Sequence, residues 1–304
     1  MDACCVPTGT PDREKLTNYD MDDRVLRKMR LDSGVLNGLV VLCLLFLSIA
    51  RAGATGALEY RVSYRGIFSA GTDMQIADLR LESRMLPDSG GLSEAGVEVS
   101  SQAYPLVENL FPIRYRFRSW TTQDQGRLLG FETYESTRKL RHRLYLRDDS
   151  GVGVQRYDLK SGEGRGEMAQ LETGVAPVVA AKGERLLDRL GLLQRVRQQN
   201  LHEQAAYRFV VTNGRERLIY EITVVAAQSL ALDGVSLPAW KLRFDGRESG
   251  GRASSKPAHR PVYVWLSQAP GHIPLRVDSR QAIGLFRIEL KDRPGLDQIA
   301  GLGL

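Results

Sequence analysis

The stretch Leu-Glu-Tyr-Arg-Val-Ser-Tyr-Arg at residues 58–65 decides the fold class. Its apolar residues alternate one for one with polar residues. This period of two is typical of a β-strand in a sheet with one buried face. The alternation returns in Ile113–Arg118, where arginine takes each outward position, and in Trp240–Phe244. The sequence therefore predicts a mainly β protein.

Turn signals separate these strands at regular intervals. Asn213-Gly214 stands between two alternating runs, and both residues tolerate the positive φ that a tight hairpin needs. In the second strand the apolar positions change phase, which predicts a bulge near Ala77-Asp78. Short strands that follow one another in this way favour an antiparallel meander over βαβ units.

One helix is predicted, from Glu184 to Gln199. Its apolar residues recur at helical spacing, at Leu186, Leu187, Leu190, Leu193 and Val196. The arginines of this segment, Arg189 among them, fall between the apolar positions. We therefore expect one apolar stripe, packed against the concave face of the sheet. The predicted fold class is a curved antiparallel sheet, half-barrel-like, with one central helix.

An apolar run at Val35–Ala50 follows a basic cluster and precedes the small residues 52–54. This order is typical of a secretory signal peptide, which we assign to residues 29–54, with cleavage near Ala54. The alternative is an inner-membrane anchor formed by residues 35–50. The run has about 15 residues, fewer than the about 20 that a spanning helix needs. The sequence predicts export to the periplasm.

The rest of the chain divides around this leader. Residues 1–28 are polar and show no hydrophobic period. They are either a disordered tail or the product of a misplaced start, with Met21 and Met29 as alternative first residues. Residues 55–292 are predicted to form a single β-rich domain, and residues 293–304 a loose C-terminal tail.

Cysteine content and net charge limit the kinds of reactive site and binding partner that the domain can have. The three cysteines, Cys4, Cys5 and Cys43, all lie in the tail or the leader. The domain is therefore expected to lack disulfides, a thiol nucleophile and thiolate metal sites. The formal net charge of +6 comes from basic residues scattered along strands. They indicate either a solvated strand face or a surface attracted to anionic lipid or cell-wall polymer. Nucleic acid as a partner fits poorly with export.

Catalytic and metal-binding motifs are incomplete. His202-Glu203 begins an H-E-x-x-H zinc motif, but residue 206 is alanine. The sequence lacks G-x-S-x-G and a Walker loop. The four histidines are scattered singly. We therefore assign no catalytic residue, no metal site and no cofactor.

Aromatic residues recur at alternating strand positions. They have two interpretations: the ordinary core of a large sheet, or the lining of a curved sheet whose interior accepts an apolar ligand such as an acyl chain. On the second interpretation the candidate ligand-binding residues are Tyr60, Tyr64, Tyr115, Phe117, Leu190, Trp240 and Trp265.

The opening stretch Tyr60–Gly71 and the closing stretches Val264–Ser267, Ile273–Val277 and Gly284–Leu290 resemble an exported bacterial family, domain of unknown function 3108. The resemblance covers roughly residues 58–292. The family is similar in plan to lipoprotein-carrier folds, in which an antiparallel sheet curls around a helix to hold acyl chains. The resemblance implies a lipid or envelope role by analogy of fold, and it supplies no catalytic residues.

Three functions stay open at this point. The leading hypothesis is a non-enzymatic protein of the periplasm or cell envelope that holds an apolar, lipid-like ligand inside the sheet. Its only predicted membrane contacts are the leader and weak surface attraction. The first alternative is a structural or protein-interaction module with a closed core. The second is a hydrolase of envelope polymer, which would need two carboxylates facing each other across a cleft.

Overall fold

The computed structural model describes residues 57–86, 91–122, 126–137, 140–148, 153–159, 177–248, 257 and 260–291. The predicted N-terminal tail, the signal peptide and the C-terminal tail lie outside the described residues. So do all three cysteines and His259.

Fifteen strands of the described chain form one sheet. Their bounds are β1 Ala57–Gly66, β2 Met74–Met85, β3 Leu92–Ser100, β4 Arg114–Thr122, β5 Leu128–Ser136, β6 Leu140–Arg147, β7 Gly153–Asp158, β8 Val178–Val179, β9 Leu186–Leu187, β10 Ala206–Thr212, β11 Arg217–Leu232, β12 Val235–Glu248, β13 Val262–Ser267, β14 Pro274–Gln281 and β15 Gly284–Leu290. The helices are α1 Pro105–Leu110 and α2 Arg189–Arg197, with a 3-10 turn at Ile67–Ser69.

The sheet is two meanders joined in the middle. Its order is β8-β7-β6-β5-β4-β3-β2-β1-β15-β14-β13-β12-β11-β10-β9. All neighbours are antiparallel except β9 and β10, which run parallel. The sheet is nearly closed and barrel-like, so it curls further than the half-barrel expected. The predicted fold class, a mainly antiparallel β protein with a helix, is confirmed.

Local signals in the sequence explain a hairpin turn and a β-bulge in this sheet. The Asn213-Gly214 hairpin is confirmed between β10 and β11, with Gly214 at φ +83°. The pairing of β1 with β2 shifts where Val62 faces Ala77 and the next residue of β1 faces Gln75. Ile76 is therefore the extra residue of a bulge, one position before the predicted site.

The helix differs from the prediction in length and surroundings. It begins at Arg189, because the Asp188 side chain accepts a hydrogen bond from the Gly191 N–H at 2.6 Å and caps the first turn. Leu186 and Leu187, predicted as helical, instead form β9. They pair in parallel with the strand that follows α2, a long-range contact that the local spacing does not reveal.

The expectation of a one-sided helix is also wrong. Leu190, Leu192, Leu193 and Val196 are all fully buried, and Arg189, expected on an outward face, is only 8% exposed. The helix contacts β4, the fifth strand in the sheet order, and β9 and β10 at the far end of that order. It is therefore enclosed by the curled sheet, which is why one apolar stripe does not describe it.

The two edges of the sheet meet at a seam, which we define as the gap between β8 and β9 together with residues 180–185 that link them. Within the described chain, β8 pairs only with β7, and β9 only with β10. The β10–β11 turn closes part of this gap. A Cβ on Gly214 would lie 2.0 Å from Cε1 of the Tyr145 ring on β6, so the turn rests directly on that ring.

Candidate functional site

Five of the predicted ligand-binding residues lie on the inner face of the sheet or on α2. Tyr60, Tyr64, Tyr115 and Phe117 alternate with outward polar residues, and all are at most 5% exposed. Leu190 on α2 is fully buried. The structure thus brings the inward aromatics of β1 and β4 and the helix into one core.

The two tryptophans lie on opposite faces of the sheet. Trp265 pairs with Lys241 and Arg276, whose cationic groups lie 5.3 and 4.8 Å from its ring centroid. Its neighbour Val264 points to the inner face, so Trp265 belongs to the outer face. Trp240 pairs with the fully buried Leu266 and shares the strand face of Leu242, and it packs, partly buried, against the core. We therefore keep Trp240 with the inner residues and leave Trp265 out of the inner site.

Two of the inner tyrosines form hydrogen bonds to residues that are distant in the sequence. The Tyr60 hydroxyl donates to the Pro274 carbonyl at 3.0 Å, and the Tyr64 hydroxyl donates to the Ile283 carbonyl at 2.7 Å. Burial raises the pKa of Tyr60, which keeps this hydroxyl protonated as a donor. These tyrosines therefore hold β1 against the turns around β14.

An aromatic column runs across the inner face of β4, β5 and β6. The ring centroids of Phe117 and Phe131 are 5.4 Å apart, and those of Phe131 and Tyr145 are 4.4 Å apart, both pairs stacked. Sequence reasoning missed Phe131 and Tyr145. The alternation in their strands was available, but their alignment with Phe117 depends on the strand register.

A buried polar cluster sits where α2 begins. Burial raises the pKa of the Asp188 carboxyl to about 6, and the Ser119 hydroxyl and the Gly191 N–H limit that rise. Among the described residues, Asp188 Oδ2, Ser119 Oγ and Arg189 Nε have no hydrogen-bond partner of ordinary geometry. Buried polar atoms of this kind normally bind a water or a ligand group.

A cleft of about 400 Å³ opens at the seam. Its floor is apolar and comes from buried core residues, Leu128, Val154, Ala180 and Leu186. Its rim is basic, with Arg127, Arg147, Lys182 and Arg185. Sequence reasoning missed this cleft, because its lining comes from three separate parts of the chain and no motif marks any of them.

The charges at the cleft are arranged unevenly. Glu184 is the one acidic residue among the described lining residues, and its carboxylate accepts from Arg217 Nε at 3.1 Å, which lowers the pKa of Glu184. Burial, and then the nearby charge of Arg127, lower the pKa of Arg147. Arg147 Nη1 donates to the Leu128 carbonyl at 3.1 Å and is thereby held along the wall.

The part of the chain that the structure describes contains no group of three His, Cys, Asp or Glu side chains that could hold a metal ion. His142 contacts Glu132, and His272 Nδ1 lies 2.9 Å from the Ser267 carbonyl. None of the described helices has the length and apolar character required to cross a bilayer.

These features define a class of protein: a nearly closed antiparallel sheet curled round one buried helix, with a cleft at its seam. The chain belongs to the family described as Protein of unknown function (DUF3108), which it matches over residues 59–291. The resemblance noted in its opening and closing strands is thereby confirmed.

No curated protein matches this chain. Among solved structures it is similar to a beta-barrel-like protein of domain of unknown function DUF1849 from Brucella abortus, with 9% identity and a TM-score of 0.49, over 78% of this chain and 95% of that one. It is also similar to lipoprotein LppX from Mycobacterium tuberculosis, with 14% identity and a TM-score of 0.19, over 89% and 94% of the two chains. Both TM-scores are below 0.5, so these likenesses do not bear on function.

Proposed function

We propose that this protein is a non-enzymatic protein of the bacterial envelope that binds an apolar molecule inside its sheet. The observation that carries the proposal is the cleft at the seam. Its volume of about 400 Å³ falls in the range of small-molecule pockets, and its floor is part of the hydrophobic core. An apolar molecule entering there would reach the core without crossing the hydrogen-bonded strands.

The aromatic column supports this route. Tyr145 and Arg147 are two residues apart on β6, so their side chains share one face of the strand. Val154, on the cleft floor, pairs with Arg147 and shares that face. From Tyr145 the stacked rings lead inward to Phe131 and Phe117. An acyl chain bound along this face would gain about 0.8 kcal/mol for each CH₂ group buried.

A closed structural module is the second candidate. Complete burial of the α2 leucines favours it, because the helix already occupies the interior. On this hypothesis the cleft would be a shallow feature of the surface, and no apolar molecule would bind there with a defined stoichiometry.

Hydrolysis of envelope polymer is not proposed. It would need two carboxylates facing each other across a cleft. Of the cleft residues that the structure describes, Glu184 alone is acidic, and it is bound to Arg217. The placement in the envelope rests on the basic, apolar and small-residue order of residues 24–54, which lies outside the described chain.

The test uses the full chain, expressed and recovered from the envelope fraction, with its N-terminus sequenced. Recovery of uncleaved protein in the cytoplasm would contradict export. Displacement of a fluorescent fatty acid should show saturable binding, and native mass spectrometry should show the added mass of a bound lipid. A clean unbound mass without saturable binding would contradict the proposal and leave the closed module.

A matched pair of variants locates the site. Val154→Phe places a ring in the cleft and should weaken probe binding at least about 10-fold. Val225→Phe makes the same change at a residue that is 46% exposed on β11, and it should bind as the parent does. Thermal unfolding by circular dichroism confirms that both variants fold. Equal binding by the two folded variants would place the ligand elsewhere.

A further inference from the structure

We infer that the molecule bound at the seam is an amphipathic anion, with its carboxylate or phosphate head at the basic rim and its apolar part on the cleft floor. This inference rests on the proposed function and adds the chemical class of the ligand. Among the lining residues that the structure describes, four are basic and one is acidic; Arg127, Lys182 and Arg185 are exposed at the rim, and buried apolar residues form the floor.

The acidic residue does not neutralise the rim. The Glu184 carboxylate accepts from Arg217 Nε at 3.1 Å and from the Ala181 N–H at 3.1 Å. Both contacts fix the loop that crosses the seam. Glu184 therefore serves the fold, and the exposed Arg127 and Lys182 give the described lining a basic rim.

The seam loop holds its cations in a defined turn. The Glu184 N–H donates to the Ala181 carbonyl at 2.9 Å, and Gly183 adopts φ +81° between them. These are the features of a type II turn, which needs a residue with positive φ at its third position. Lys182 is the second residue of this turn and Arg185 follows it, and both are exposed.

The opposite wall brings two guanidinium groups near each other. Arg127 is exposed, and Arg147 is half-buried against the Leu128 carbonyl. Burial, and then the charge of Arg127, lower the pKa of Arg147, and the nearby Asp148 carboxylate opposes both effects. An anion placed between this wall and the seam loop would relieve the repulsion and form charge-assisted hydrogen bonds.

The experiment compares four competitors against a bound fluorescent fatty acid on the full chain. They are a long-chain fatty acid, its methyl ester, the corresponding alkyl phosphate, and inorganic phosphate. We expect the acid and the alkyl phosphate to displace the probe, the ester to do so about 10-fold less well, and inorganic phosphate to do so weakly. Binding of the acid should weaken as salt is added.

Matched charge reversals test the rim. Arg127→Glu and Lys182→Glu should each weaken binding of the acid about 5-fold and leave binding of the ester nearly unchanged. Arg280→Glu is the control, since Arg280 is an exposed arginine on β14, away from the seam in the sheet order. Arg127→Lys should restore most of the affinity, because it restores the charge.

The outcomes separate the two proposals. Equal binding of acid and ester, unaffected by either charge reversal, would overturn the inference while leaving apolar binding intact. Displacement by inorganic phosphate as effective as that by the alkyl phosphate would also overturn it, because the apolar part would then contribute nothing. Failure of every acyl competitor and of the probe itself would instead overturn the proposed function.

Discussion

Replacing Gly214 with alanine tests how the seam is closed. The new Cβ would lie 2.0 Å from Cε1 and 2.5 Å from Cδ1 of the Tyr145 ring. That ring is 2% exposed and stacked on Phe131 with centroids 4.4 Å apart, so it has little room to move. The substitution therefore forces either the β10–β11 turn or the aromatic column out of place.

Two separate terms set the size of the effect. A non-glycine residue at φ +83° costs about 1 to 2 kcal/mol. Forcing a methyl group into a packed core costs typically about 1 to 3 kcal/mol more. We therefore expect a loss of about 2 to 5 kcal/mol in the free energy of unfolding, a large part of the stability of an ordinary domain.

Gly234 provides a matched control in the same sheet. It has φ +85°, and a Cβ there would meet no atom within 4 Å. Gly234→Ala should therefore lose only the conformational term, about 1 to 2 kcal/mol. Urea titrations followed by circular dichroism give both values from the midpoints, provided that the slopes agree.

Equal losses in the two variants would refute the packing of the turn on Tyr145. A double-mutant cycle adds a second check. In a Tyr145→Ala background, Gly214→Ala should cost no more than Gly234→Ala does in the parent, since the clashing ring is gone. An undiminished cost in that background would point to strain in the turn alone.

Two further expectations concern α2. Leu190→Ala should lower the free energy of unfolding by about 2 to 5 kcal/mol in a urea titration, because it leaves a cavity in the core. Leu140→Ala, at a residue that is 47% exposed, should change it by no more than about 0.5 kcal/mol. Similar losses in the two variants would contradict the enclosure of the helix. Burial raises the pKa of Asp188 from an ordinary value of 3.8 to about 6, so the folded state binds the proton more tightly than the unfolded state. The free energy of unfolding should therefore fall by about 3 kcal/mol as pH rises from about 4 to about 6, and then level off. Urea titrations across this pH range measure the trend, and Asp188→Asn should abolish it.

Sequence reasoning succeeded where the signal was local. The alternation of residues 58–65 and the Asn213-Gly214 pair each fix a strand or a turn without reference to distant residues. It failed for Leu186 and Leu187, whose spacing also suits a helix. These two residues form β9, which pairs with β10 on the other side of α2 in the sequence. No residue pattern within the segment itself indicates that pairing.

The site was harder to predict for a physical reason. Both faces of β13 are apolar, so alternation alone cannot tell that Val264 points inward and Trp265 outward. The cleft depends on the meeting of two sheet edges, which is a property of the closed sheet as a whole. Arg127 and Lys182 come together there only after every strand between them has found its register.

The pairing of the first strand with the last has a consequence for biosynthesis. β1 borders β2 on one side and β15 on the other, and the Tyr64 hydroxyl reaches the Ile283 carbonyl across 219 positions of the chain. A ribosome delivers β15 last, so one edge of β1 stays open while nearly the whole domain is made. Such distant pairing slows folding, and an open edge invites aggregation with other chains. The nascent protein therefore needs protection from its neighbours until its final strand emerges.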